Sequence, residues 1–176
     1  MSIERQWGQE STSIFTLLKL TDMQKIVFTL LGSLLGFLVF AQDATDLRKN
    51  HFNTGDGIAI RGYDPVAYFT QNKAVKGSSE WSTSYEGVTY YFSSASDKEE
   101  FRKAPARYEP QYGGWCAYAM GKDGTKVDVD PGTFKITGGK LFLFYNQFFT
   151  NTLKSWNKDE PNLHRQADNN WQKLFH

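Results

Sequence analysis

The sequence predicts an α+β domain, a small antiparallel sheet of hairpins with several short helices packed on it. Three observations carry this. Two pairs of alternating β-rich runs, 81–85 with 88–92 and 134–137 with 140–145, are each joined by a turn dipeptide, Glu86-Gly87 and Gly138-Gly139. Short helix signals separate and follow them, punctuated by Pro105, Pro110 and Pro161. Aromatic residues make up 16% of the 176 and concentrate after residue 50, so one domain can bury a substantial core.

In chain order, the N-terminus comes first. Met23 opens MQKIVFTLLGSLLGFLVFAQDA, with one lysine, a fifteen-residue apolar run over 26–40, and Val39-Phe40-Ala41 before Gln42. A positive start, an apolar stretch and a small-residue exit are the architecture of a secretory signal peptide, expected over 23–41. The run falls short of the roughly 20 apolar residues that a spanning helix needs. Retention as an uncleaved anchor is the alternative, and only then does the chain touch a membrane. Residues 1–22 read as a start-site extension. The working protein is then exported, periplasmic or extracellular.

Residues 42–56 are polar and read as a tether into a domain over 57–174. Residues 58–60 suggest a short strand. Asp64-Pro65 marks a turn, after which Val66 and Tyr68 alternate with Ala67 and Phe69. A polar loop (73–79) leads to the first hairpin. Ser96 with Glu99 three residues later is a capping-box pattern that opens a helix to about Lys103. A second short turn holds Tyr108, and 112–120 reads as helical because Trp115 with Ala119, and Cys116 with Met120, fall at i,i+4 spacing. Residues 121–132 are turn-rich and lead to the second hairpin. Closing helices are expected over 146–156 and 161–174, the latter with Pro161 at its first position.

The net charge of +1 and the lack of a basic run exclude strong electrostatic recruitment of the chain as a whole to nucleic acid or to an acidic membrane. One cysteine allows no internal disulfide, so stability must come from packing. No Ser-His-Asp order, paired acids or HExxH stretch argues for catalysis.

The residues left for chemistry are few. Cys116 and Met120 offer a thiol and a thioether, the soft donors that suit Cu(I); both types are also common core fillers. A zinc site wants four ligands, and a nucleophilic thiol wants an adjacent base. Asp64 is a turn carboxylate or an anionic ligand. His51 lies in a segment that can reach toward Cys116, while His164 with Asp168 forms an i,i+4 pair and His176 is terminal. Tyr63, Tyr68, Tyr112 and Tyr118 offer a pocket of phenols or ordinary core rings. Gly113-Gly114 permits close backbone approach and lacks the spacing of a phosphate loop. The acidic loop at 123–132 fails calcium-loop spacing.

Several blocks occur in order: GIAIRGYDPVAYF (57–69), KGS (76–78), YYFSSASDKEEFRKAPARY (90–108), QYGGWCAYAM (111–120), GKLFLFYN (139–146), then Trp156 and ADNNW (167–171). Together they resemble the exported branch of the YHS-domain family. That resemblance implies a YHS-like fold. It also implies kinship with modules often appended to metal-handling proteins, heavy-metal transporters among them. Better known members carry a cysteine in an Asp-Pro-Val-Cys stretch; Ala67 stands there in this chain, so no ligand set transfers from that motif. The expectation is a non-catalytic, exported metal-handling domain for a soft ion such as copper, or for zinc, with Cys116, Met120, Asp64 and His51 as candidate ligands. An aromatic-lined small-molecule or carbohydrate binding module is the alternative, with a thiol-dependent enzyme behind it. The implied partners are thus a metal ion or small molecule; no protein partner is indicated.

Overall fold

The computed structural model describes residues 46–175, together with Lys25 and Val27 ahead of them. The start-site extension, the signal segment apart from those two positions, and His176 lie outside the described residues. Among the described residues no helix is long and apolar enough to cross a membrane. Residues from Thr45 onward form one compact unit, and the account below concerns that unit.

The first described element is helix α1 (46–51), followed by buried Phe52. The stretch read as a polar tether is therefore, over its described part, a packed segment of the domain. Two 3-10 turns, Gly55–Gly57 and Ala59–Gly62, take the place of the strand expected at 58–60. Ile60 and Arg61 both adopt left-handed φ of 52°, which breaks extension, and Ile58 keeps a single bridge to Thr89. Helix α2 (Pro65–Thr70) replaces the alternating run. Pro65, Val66, Ala67 and Tyr68 are all buried, so the segment shows no polar face from which a helical period could be read.

The first hairpin matches expectation. Strands β1 (Ser78–Tyr85) and β2 (Val88–Phe92) pair antiparallel, and Glu86 and Gly87 both take positive φ at the turn. Helix α3 (Ala95–Lys103) follows, but its cap is Ser94 rather than Ser96: the Ser94 hydroxyl accepts from the Asp97 N–H at 3.1 Å. A short helix α4 (Pro105–Tyr108) carries Tyr108 inward. The 112–120 region is not one helix. A 3-10 turn (Gln111–Gly114) with left-handed Tyr112 and Gly113 precedes extended Trp115, and α5 (Ala117–Asp123) begins only after Cys116.

Strands β3 (Asp130–Thr137) and β4 (Lys140–Phe144) form the second hairpin as expected. Residues 146–151 differ from expectation. Instead of helix they form a miniature hairpin, β5 (Asn146–Gln147) with β6 (Thr150–Asn151), turning at Phe148-Phe149. Helices α6 (Thr152–Trp156) and α7 (Glu160–Gln172) close the fold, Asn151 capping α6 through the Leu153 N–H.

Two cores result. One gathers Tyr90, Phe92, Phe101 and Tyr108 around α3 and the first hairpin; the other gathers Tyr112, Met120, Phe142, Phe144 and Trp156 between β4 and the closing helices. Each fully buried aliphatic or phenylalanine side chain contributes about 1.5–3 kcal/mol over exposure. Between the cores, the 110–116 segment runs beside β4, with bridges from Pro110 to Leu141 and from Cys116 to Leu143. This is the frame that fixes the chain's one thiol.

Candidate functional site

Cys116 is fully buried by residue yet forms part of the wall of a pocket of about 210 Å³ that Tyr118, Asp123, Val127, Tyr145 and Thr152 also line. Its backbone is pinned on both sides, by the Cys116 N–H bond to the Val127 carbonyl (2.9 Å) and by the bridge to Leu143. Its sulfur sits at the base of the β5–β6 hairpin. The Tyr145 N–H donates to Sγ at 3.4 Å, and Sγ lies 3.4 Å from Thr152 Oγ1. The Thr152 hydroxyl in turn donates to the Tyr145 carbonyl at 2.9 Å. The neutral thiol thus completes a closed ring of hydrogen bonds: Tyr145 N–H to sulfur, S–H to Thr152, Thr152 O–H to Tyr145.

This ring can be reversed at one point. When the thiol loses its proton, the Thr152 hydroxyl can turn from the Tyr145 carbonyl to the sulfur. The carbonyl is not orphaned, because the Thr152 N–H still donates to it at 3.0 Å. The sulfur would then accept two hydrogen bonds instead of one. The sulfur therefore has two polar neighbours, and its residue lies in the wall of the neighbouring cavity.

The remaining sequence candidates occupy separate surroundings. Met120 packs in the second core with Tyr112, Phe142 and Trp156, whereas Cys116 belongs to the first. The i,i+4 relation does not bring the sulfurs onto one helical face, because Cys116 precedes the helix and has ψ of 115°. Asp64 is fully buried and caps α2: Oδ1 accepts from the N–H groups of Val66 (2.8 Å) and Ala67 (3.3 Å). Its Oδ2 accepts from Ser93 N–H at 2.7 Å and Ser93 O–H at 2.8 Å. A carboxylate so engaged has no lone pair to spare without giving up the cap. Burial and the nearby Asp64 raise the pKa of Asp97, the other carboxylate beside Ser93 Oγ. His51 is half-buried beside Phe175, with Nδ1 2.9 Å from Lys126 Nζ; partial burial and that ammonium lower its pKa and favour the neutral ring.

The phenols do not share one pocket. Tyr118 lines the Cys116 cavity. Tyr63 lies beneath Lys76, whose ammonium is 4.7 Å from the ring centre. Tyr68 is buried against Phe134 and donates to the Pro131 carbonyl at 2.9 Å. Tyr112 donates to Asp168 at 2.9 Å, and burial raises the pKa of both Tyr68 and Tyr112 far above the ordinary phenol range. Gly113 explains its own conservation of space: at φ 59°, an added Cβ would lie 2.8 Å from the Trp171 ring. Gly114, at φ 84°, faces Pro110 and accepts from the Asn53 side chain through its carbonyl.

Two features were not foreseen from sequence. A second pocket of about 400 Å³ is lined by Arg48, Glu109, Tyr112, Gly113, Asp168 and Trp171, among others. On its wall, Arg48 donates to Glu109 at 2.6 Å while the Tyr90 hydroxyl donates to the same carboxylate oxygen. Burial raises the Glu109 pKa despite these two partners. Of the two residues that hold the thiol, Tyr145 stood in the GKLFLFYN block and Thr152 in no motif, and neither carried a signal pointing to Cys116.

The donors present can be tested against the metals considered. Among the described residues there is no group of three or more His, Cys, Asp and Glu side chains that could hold an ion. A closed tetrahedral zinc site, with its four protein ligands, therefore does not fit. For a soft ion the described residues offer one thiol, with the Thr152 hydroxyl beside it as a hydrogen-bond partner and no second soft donor.

Compared with known families, the chain matches the YHS domain model over residues 66–112, from Val66 in α2 to Tyr112 in the 3-10 turn. That stretch is similar to the YHS domain, a domain type generally associated with metal handling. The match ends before Cys116. No curated protein and no solved structure matches the chain.

Proposed function

We propose that this chain is a non-catalytic metal-handling domain that works outside the cytoplasm and passes a soft cation, such as Cu(I), through Cys116. The observation that supports it is the surroundings of Cys116: two hydrogen-bond partners at its sulfur, one of them reversible, and a cavity of about 210 Å³ that the residue lines. One strong donor with open positions suits capture and release better than permanent storage. Exchange would proceed by an incoming thiol or thioether filling the open positions before the protein sulfur lets go. Affinity rises with pH, because the thiol must lose its proton to bind.

The test is a Cu(I) titration of the protein against a competing chelator, wild type beside Cys116→Ser. One equivalent bound by the wild type and lost in the variant is the expected result. Stoichiometric binding that survives the substitution removes Cys116 from the site. Met120→Leu, whose thioether packs in the other core, is expected to leave the titration unchanged.

A binding-module reading has its own support. The pocket of about 400 Å³ beside Tyr112 and Trp171 falls within the usual range for small-ligand sites, roughly 300–1,000 Å³. Its charged walls, Arg48, Glu109, Lys140 and Asp168, suit a polar ligand rather than an aromatic one.

A further inference from the structure

The most exposed apolar feature of the described chain is the turn of the β5–β6 hairpin. Phe148 and Phe149 are 86% and 112% exposed relative to an isolated residue, next to each other at the tip. Both have positive φ, 48° and 65°. A two-residue hairpin turn of this kind is normally filled by Asn-Gly, which adopts it freely, whereas bulky side chains resist it. The chain therefore holds two aromatic rings out in water in a conformation that neither folding nor solubility favours.

Along the chain, the tip lies in a stretch of one sign of charge, bounded by Asp130 before it and Asp159 after it. From residue 131 through 158 the sequence contains four lysines, Lys135, Lys140, Lys154 and Lys158, and no Asp or Glu. The hairpin itself is uncharged, with Asn146, Gln147, Thr150 and Asn151 flanking the rings. Lys154 and Lys158, just beyond it, are exposed. Among the described residues, Lys135 is the one of the four seen paired with an acid, Glu160.

We propose that this hairpin is a membrane-contact element, with Phe148 and Phe149 seated in the interfacial layer of an anionic bilayer and Lys154 and Lys158 against its headgroups. Exposed aromatic side chains beside basic residues suit such a surface: the rings leave water, and the ammonium groups stay among the anions. A protein groove would need a matching double cavity and acidic rim; a bilayer accepts two adjacent rings in any orientation. The inference is independent of the metal reading, and its test contains no metal.

The experiment uses the full chain and its Phe148→Trp variant, with phosphatidylcholine vesicles brominated on their acyl chains, with and without phosphatidylglycerol. The variant's emission minus that of the wild type isolates the tip. Because an interfacial ring lies about 5–10 Å into the headgroup–acyl boundary, this difference emission should fall roughly twofold or more on vesicles containing phosphatidylglycerol. It should recover when salt is raised or phosphatidylglycerol omitted. Difference emission that stays unquenched, whether or not the rest of the chain binds the vesicles, overturns the proposal and leaves the rings to a protein partner. Equal quenching without phosphatidylglycerol overturns the anionic part. The tip contributes nothing to either core, so the substitution tests contact and not folding.

Discussion

At the scale of single residues, the informative contrast is between Asp64 and Cys116. Asp64 offers the better ligand chemistry on paper, but all of its acceptor capacity goes to α2 and to Ser93. Replacing it with alanine removes a cap and leaves the partly buried Ser93 N–H without its partner, at a cost of about 2–4 kcal/mol. Asp64→Asn should lose less than half as much, since its oxygen can still cap. Urea denaturation of the two variants measures this, and equal losses would show that the charge rather than the cap matters. That Asp64 belonged to a turn was legible in the Asp-Pro pair. That the turn starts a helix was not, because the next four residues are all buried and hide the helical period. For Cys116 the sequence showed a thiol among aromatic rings. Its partners Tyr145 and Thr152 lie 29 and 36 residues away, and nothing local points to them.

At the scale of elements, the hairpins β1–β2 and β3–β4 follow from period-two alternation and turn residues that need no tertiary help. The third hairpin does not, because Phe148-Phe149 is the wrong turn chemistry and the tract 146–156 contains enough apolar residues to pass for a helix. Helix α5 is decided by packing. Gly121 lies so close to α7 that an added Cβ would stand 2.5 Å from the Leu163 carbonyl oxygen. Gly121→Ala is therefore expected to destabilise the protein by about 1–3 kcal/mol, outweighing the gain of up to about 1 kcal/mol that alanine brings to a helix interior. A raised melting temperature in this variant would mean that α5 and α7 can part without loss. Because α5 follows Cys116 directly, the same variant should also loosen the thiol site, seen as faster reaction with a neutral alkylating reagent.

At the scale of the whole molecule, distant segments are joined through one buried carboxylate. Glu109, just after α4, receives Arg48 from α1 and Tyr90 from β2. Burial, partly opposed by those two donors, raises its pKa above the ordinary value of 4.5. The folded protein thus keeps a proton at Glu109 that the unfolded chain has released, so stability falls as pH rises from about 4.5 through the folded value and is level above it. In Glu109→Gln that proton linkage is gone: the wild-type minus variant stability should decline over this window and nowhere else. Paired denaturation curves across pH measure it, and a constant difference would show that Glu109 is not the group responsible. From the sequence alone came the α+β class, the two main hairpins, the family blocks and the lone thiol, all properties of contiguous residues and local periodicity. Tertiary structure decided that Met120, Asp64 and His51 stand apart from Cys116, that the thiol is held by Tyr145 and Thr152, and that two phenylalanines end up in water. Those outcomes depend on which distant segments meet, and that is settled by packing over the whole chain, where local pattern carries no information.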